Sequence, residues 1–173
     1  LLFLGQQIYQ MAPPIPQVVK SASGETLYTR DDIETGQNVW QSIGGQEVGT
    51  VWGHGAYVAP DWSADWLHKE TLFLLDTWSE KDYGVLFNDL DPEKQAMLEV
   101  RIRKVLRANT YDDKTGILTV SDERAEAIIN NSSHYRGLFM DDPSLDKERA
   151  SYAIPVNSIK DPVRMHNMNA FFF

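Results

Sequence analysis

Four histidines, a short run of carboxylates and a glycine-rich aromatic loop are the residues of this chain that could carry chemistry. Most lie in Trp52-Gly-His-Gly-Ala-Tyr-Val-Ala-Pro-Asp-Trp-Ser-Ala-Asp-Trp-Leu-His-Lys-Glu70, which holds three of the five tryptophans and two of the four histidines. His54, His68, His134 and His166 are metal-ligand types. None shows the paired spacing of a zinc-binding helix, and there is no cysteine to complete a thiolate site. His68 follows Asp65 by three residues, which gives two ligands at most; a histidine bonded to a neighbour on a helix is the simpler reading. Asp61, Asp65 and Glu70 are acid–base types. Asp61 and Asp65, however, fall in the first turn of an expected helix, where the helix dipole favours carboxylates without any catalytic role. A hydrolase using Asp61, Asp65 and His68 is therefore the weakest reading. Gly53-His-Gly55, continuing through Tyr57, is not followed by the third glycine a dinucleotide fingerprint needs, and no phosphate loop occurs.

The loop itself is more informative. Gly53 and Gly55 allow positive φ or close backbone approach. Gly55 offers a carbonyl and Tyr57 a phenolic oxygen, both suited to a hard cation. Pro60 stops the loop at a helix start. The arrangement reads either as a turn packed on its own helix or as a shaped tip, 53–60, that docks on something.

Composition narrows the class. The chain has 173 residues, 42% hydrophobic and 24% charged, enough for one domain with a substantial core. A net charge of −9 removes the phosphate-neutralising term on which nucleic-acid binding depends. The absence of cysteine excludes disulfides, cysteine nucleophiles and thioether-linked haem. Both ends are apolar, Leu1-Leu-Phe-Leu4 and Ala170-Phe-Phe-Phe173. They read either as a buried terminal strand and an apolar tail or as stubs of membrane-spanning helices; an exposed triple phenylalanine would invite aggregation, which favours the stubs. The domain division expected is a stub with its exit over 1–12, an extramembrane domain over 13–163, and the start of a second membrane helix over 164–173.

The elements that must position the loop are a few helices and short strands. Val18-Val-Lys20 and Thr26-Leu-Tyr28 flank a turn and predict a hairpin. Thr29 with Asp32 resembles a capping box, starting a helix that carries Ile33, Gly36, Trp40 and Ile43. Residues 44–60 have no period and read as a long functional loop. Asp61 or Ser63 caps a second, central helix running to about Glu80. On it Trp62, Trp66 and Phe73 share one arc, Leu67, Leu74 and Trp78 the next, with Asp65, Lys69 and Asp76 towards water. Asp91-Pro92 starts a third helix, buried through Leu98, Ile102, Val105 and Leu106. A strand over 117–120 precedes a fourth helix capped by Ser121, with Ala125, Ile128, Ile129, Ser132, Tyr135 and Phe139 inward. Residues 141–162 read as irregular, and Arg164 to Asn169 begins a last helix. The fold class is mainly α with short β-hairpin elements.

The central stretch Gly53 to Glu70 closely resembles the extramembrane segment near the N-terminus of bacterial quinol-dependent nitric oxide reductases. Ile8-Tyr-Gln-Met-Ala-Pro-Pro-Ile-Pro16 is similar to the exit of that family's first membrane helix. Gly36-Gln-Asn-Val-Trp-Gln-Ser42 resembles the first helix of its soluble part, and Met168-Asn-Ala-Phe-Phe-Phe173 the start of its second membrane helix. Relatives that use cytochrome c carry Cys-x-x-Cys-His, then Gly-Glu-Gly-Ala-Tyr-x-Ala-Pro. This chain keeps the second part as Gly53-His-Gly-Ala-Tyr-Val-Ala-Pro60 and has Ile43-Gly-Gly-Gln-Glu-Val-Gly-Thr-Val-Trp52 in place of the first.

The resemblance implies a cytochrome-c-like helical domain lacking haem, fused to a membrane-embedded catalytic part. In the full protein it implies quinol as electron donor, with haem b, haem b3 and a non-haem iron that reduce two NO to N2O. It implies the periplasmic, outer face of the bacterial inner membrane as location, and a structural role with no catalytic residue and no cofactor in this stretch. The docking loop is Gly53, His54, Gly55, Ala56, Tyr57 and Pro60, with Gly55 and Tyr57 as calcium contacts when docked; His54 stands where the haem-bearing relatives have Glu. Trp40, Ile43, Trp52 and Met140 are the side chains expected to fill the former haem space. The alternative is a stand-alone metal- or ligand-binding module on the same scaffold.

Overall fold

The computed structural model describes residues 13–173; the membrane-helix stub expected over 1–12 lies outside the described residues. The hairpin forms as β1 (Val18–Ser21) and β2 (Thr26–Thr29). Further on, β3 (Tyr111–Asp112) and β4 (Ile117–Val120) pair antiparallel. The sequence pattern shows these only as separate elements. They are one sheet, in the order β2-β1-β4-β3, because β1 and β4 pair in parallel with Val19 opposite Leu118.

The helices start where their caps dictate. Thr29 closes the expected capping box with Asp32 ahead of α1 (Arg30–Ser42). Asp61, rather than Ser63, caps α2 (Trp62–Tyr83). Asp91 and Pro92 begin α3 (Pro92–Arg107), and Ser121 begins α4 (Asp122–Phe139). The stretch expected to be irregular contains a short helix, α5 (Asp146–Ser151), whose six residues are too few for a periodic pattern to show. Arg149 fixes it: its buried guanidinium donates to the carbonyls of Leu138, Gly137 and Asp142 and pairs with Asp146. The last helix, α6 (Pro162–Phe172), starts at Asp161 as cap and lies against α1.

Two apolar cores share α2, a strut about 33 Å long. The one near its N-terminus is aromatic. Trp62 stacks on Phe172 with centroids 5.3 Å apart and meets Tyr135, Phe139 and Tyr152 edge-on. Trp66 stacks on Tyr135 at 5.3 Å. The other core gathers Leu74, Leu75, Trp78, Leu90, Leu98, Ile102 and Ala127. Several outward or inward assignments change. Leu67 on α2 and Ile129 on α4 are about half exposed, since each lies one step round from the face its helix buries. Asp65, expected in water, is mostly covered, because the buried Tyr135 hydroxyl needs an acceptor and donates to it at 2.5 Å. Lys69 lies 3.8 Å from Asp65, as their i,i+4 spacing suggests.

Polar ties lock α2 to its neighbours. Glu70, fully buried, accepts from Arg124 Nε of α4 at 2.5 Å, so its charge is compensated inside. Arg101 of α3 lies 4.0 Å above the buried Trp78 ring, while Asp82 and Glu123 flank it on the solvent side. Arg101→Ala should cost about 1 kcal/mol, mostly the cation–π term, as a lower urea midpoint with unchanged slope. Equal stability of Arg101→Ala and Arg101→Lys to the parent would show that the stacking is incidental.

Candidate functional site

The loop expected to be functional leaves α1 through a 3-10 turn, Gly45–Val48, and returns at Asp61. Its two legs are joined at the base. Thr50 N–H donates to the Pro60 carbonyl at 3.2 Å, and Trp62 N–H to the Thr50 carbonyl at 2.7 Å. Two core indoles hold the same place from below. Trp40 Nε1 donates to Gly49 O at 3.1 Å, and Trp62 Nε1 to Val48 O at 2.8 Å. Trp40 is thus buried and also anchors the loop.

Asp61 organises what stands above that base. Its Oδ2 accepts from Thr50 Oγ1 at 2.7 Å and from Gly53 N–H at 2.5 Å. Its Oδ1 accepts from Ser63 Oγ at 2.6 Å and from Ala64 N–H at 3.0 Å, the helix cap. Thr50 Oγ1 in turn accepts from Gly55 N–H at 2.8 Å, and Ser63 Oγ from Trp52 N–H at 2.8 Å. Partial burial alone would raise the Asp61 carboxyl; the hydrogen bonds from Ser63, Thr50, Gly53 and Ala64 outweigh it and hold the group at about 2. An acceptor so fully committed at neutral pH is a clasp rather than a general base.

The glycines are used as their type suggests. A Cβ on Gly53 would sit 2.7 Å from Thr50 Oγ1, and Gly55 has φ +82°. Beyond them Ala56 N–H donates to the Ala59 carbonyl at 2.8 Å, making a tight turn. Tyr57 stands on it, completely exposed, with Val58 half exposed beside it. His54 is exposed and Pro60 partly covered.

The other candidates scatter. His68 is exposed on α2. His134 Nε2 lies 3.2 Å from Glu148 Oε1; burial and the Lys69 ammonium hold its pKa below the ordinary value. His166 packs on the Tyr28 ring and lies 3.7 Å from Asp32. Asp65 serves Tyr135 and Glu70 serves Arg124, so the hydrolase set is not assembled. Among the described residues there is no group of three or more His, Asp or Glu side chains placed to hold a metal ion. Sequence reading misses Thr50, which has no motif, and offers Ser63 only as a helix cap, whereas its hydroxyl serves the clasp between Trp52 N–H and Asp61. It also places Trp52 wrongly: this ring is 87% exposed, with φ +54°, and plugs nothing. Ile43 packs at the core margin and Met140 is only partly covered.

Residues 16–173 match the family model described as the cytochrome c-like domain of NorB, a nitric oxide reductase chain. The chain belongs to that family. No curated protein matches it. It is thus a domain of an oxidoreductase, with the helical fold that the name describes. Within this nitric oxide reductase domain the residues do not fit a covalently bound haem. There is no cysteine for a thioether, and rings of Trp62, Trp66, Tyr135, Phe139 and Phe172 fill the main core. No histidine is fully buried there to serve as an axial ligand: His54, His68 and His166 are exposed, and His134, partly covered beside Tyr135, is engaged with Glu148. Among the described residues of this nitric oxide reductase domain, no helix is long and apolar enough to cross a membrane.

Proposed function

We propose that this domain is a haem-free cap on a quinol-oxidising nitric oxide reductase. It stands on the periplasmic, outer face of the bacterial inner membrane and docks its 53–60 loop on the membrane-embedded catalytic part of the same chain. That part would hold haem b, haem b3 and a non-haem iron, which would carry the two electrons of each quinol to two NO; with two protons these give N2O and water. The cap supplies no ligand and no redox group to this reaction. On this reading 164–173 is the start of the second membrane helix, and its first turns belong to the core of the cap through Met165, Met168 and Phe172.

The observation that carries the reading is a loop built for presentation. A clasp of side-chain and backbone bonds, all internal, holds Tyr57 wholly in solvent at the end of a rigid strut. Among the described residues nothing covers that ring. Gly55 O and Tyr57 Oη are neutral, hard oxygens of the kind calcium takes, yet calcium needs six to eight. The remainder must come from the docked surface, so calcium belongs to the interface rather than to the cap.

Two variants of the full-length chain test this. Tyr57→Phe keeps the ring and removes the oxygen, and should lower turnover several-fold. Gly55→Val places a β-branched residue at φ +82°, a strain of about 1–3 kcal/mol, and should impair assembly as well. Normal NO turnover and normal yield of assembled enzyme in both variants would refute the docking role.

A further inference from the structure

We propose that Trp52 is a bilayer anchor: its indole rests in the headgroup layer of the lipid beside the membrane-embedded part, while Tyr57 addresses the protein. The inference rests on the docking reading for one point only, namely which end of the domain faces the membrane.

Four observations carry it. First, Trp52 is alone among the five tryptophans in being exposed; Trp40, Trp62, Trp66 and Trp78 are all buried. Second, its exposure is imposed by the backbone. Residue 52 adopts φ +54°, a conformation unusual for a bulky residue, and its N–H is tied to Ser63 Oγ at 2.8 Å. Backbone strain at a fully exposed aromatic residue is hard to explain by the stability of the domain itself. Third, residues 49–60 contain no Asp, Glu, Lys or Arg, in a chain that is 24% charged with a net charge of −9. Trp52, Tyr57 and Val58 therefore stand on a tip free of Asp, Glu, Lys and Arg, on an acidic body. Fourth, this tip lies at the end of the domain where Phe172, at the close of α6, stacks on Trp62, the first residue of α2. That end is the membrane-proximal one in the docking reading.

These features select lipid as the occupant. An indole with an apolar body and one N–H donor is favoured at the boundary between headgroups and acyl chains. A tip without lysine or arginine gains little from anionic lipid, and the acidic body is repelled by it, so a zwitterionic phospholipid is the specific partner. Met97 and Val100, exposed on α3, do not qualify. They flank the second core, roughly 25 Å along α2 from the tip, among charged neighbours.

The test uses the full-length chain in nanodiscs of phosphatidylcholine and phosphatidylethanolamine. Trp52→benzoylphenylalanine is illuminated and its adducts identified by mass; Met97→benzoylphenylalanine is the control. Phospholipid adducts at position 52 and none at 97 are the expected result. An adduct joining position 52 to a peptide of the protein, or no adduct above the control, overturns the assignment. Failures separate cleanly. If Tyr57→Phe and Gly55→Val impair the enzyme while position 52 captures peptide, docking stands and the lipid contact falls. If those variants are normal while position 52 captures lipid, docking falls and the anchor stands.

Discussion

Gly36→Val should destabilise the domain severely, by prising two packed helices apart. Gly36 faces α6 where α1 crosses it. A Cβ at this position would lie 2.0 Å from the Asn167 carbonyl oxygen and 2.7 Å from both the Asn167 carbonyl carbon and Phe171 Cβ. Two of these three atoms are backbone, so no rotamer change relieves the clash; α6 must move away as a unit. The movement would open the packing of Trp40 on Phe171 and of Phe172 on Trp62, which stand 5.7 and 5.3 Å apart between centroids. Overpacking a core costs about 1–3 kcal/mol when side chains can adjust, and a fixed backbone puts this case at or above about 3 kcal/mol. Thermal unfolding should shift down by roughly 6–12 °C for a domain of this size. Gly36→Ala introduces the same Cβ and should show most of the effect. A shift of under about 2 °C for Gly36→Ala would mean that the two helices are not held at this distance.

Gly36 also marks how far the sequence can be read. Its place on the inner face of α1 follows from helical spacing with Trp40, and the start of that helix follows from Thr29 and Asp32. Caps are local: a side chain three residues away satisfies an orphan backbone N–H, so Asp61, Asp91 and Ser121 announce their helices without any tertiary knowledge. Pairing at long range is not local. Nothing in Val18-Val-Lys20 shows that it will lie parallel to a strand about a hundred residues later, because either strand alone satisfies the same alternating pattern.

The candidate site divides in the same way. The extent of the loop is legible, because Gly, Tyr and Pro in that order have few uses besides a turn. The behaviour of the large aromatic rings at its two ends is not, since a tryptophan is equally at home as core filler and as surface anchor. Trp40 and Trp52 have the same residue type and similar apolar neighbours in sequence, yet one is buried and the other exposed. What separates them is backbone direction: Trp40 sits on the inner face of a helix, while the left-handed turn at residue 52 aims its ring outward. Asp65 and Asp61 form a similar pair. Both belong by sequence to a helix start, but only contact with Tyr135 on α4 draws Asp65 inside, whereas every partner of Asp61 lies within about a dozen residues of it.

That compactness makes Asp61 the point at which the loop should fail. Asp61→Ala removes four accepted hydrogen bonds together, the α2 cap among them. Loss of the cap alone costs about 1–2 kcal/mol, so the domain should remain folded with its melting temperature lowered by a few degrees. The effect on the tip should be far larger. Gly53 N–H loses its acceptor, and Thr50 Oγ1 loses the bond that positions it for Gly55 N–H. Amide exchange at residues 53–56 should speed up while the α2 interior keeps its protection. In the full-length chain, turnover should fall below that of Tyr57→Phe, since every group of the tip is released at once. Asp61→Asn keeps an acceptor and should fall between the parent and Asp61→Ala. The pH dependence has a defined sign. The folded carboxyl titrates at about 2, below its unfolded value, so its contribution is complete above about pH 4 and is lost as the pH falls through about 2. With this group partly exposed, screening leaves that contribution at about 1 kcal/mol. The difference in stability between parent and Asp61→Asn should therefore shrink on acidification from about pH 5 to about pH 2. A constant difference across that range, or unchanged amide exchange at 53–56 in Asp61→Ala, would show that the loop holds its shape without the clasp.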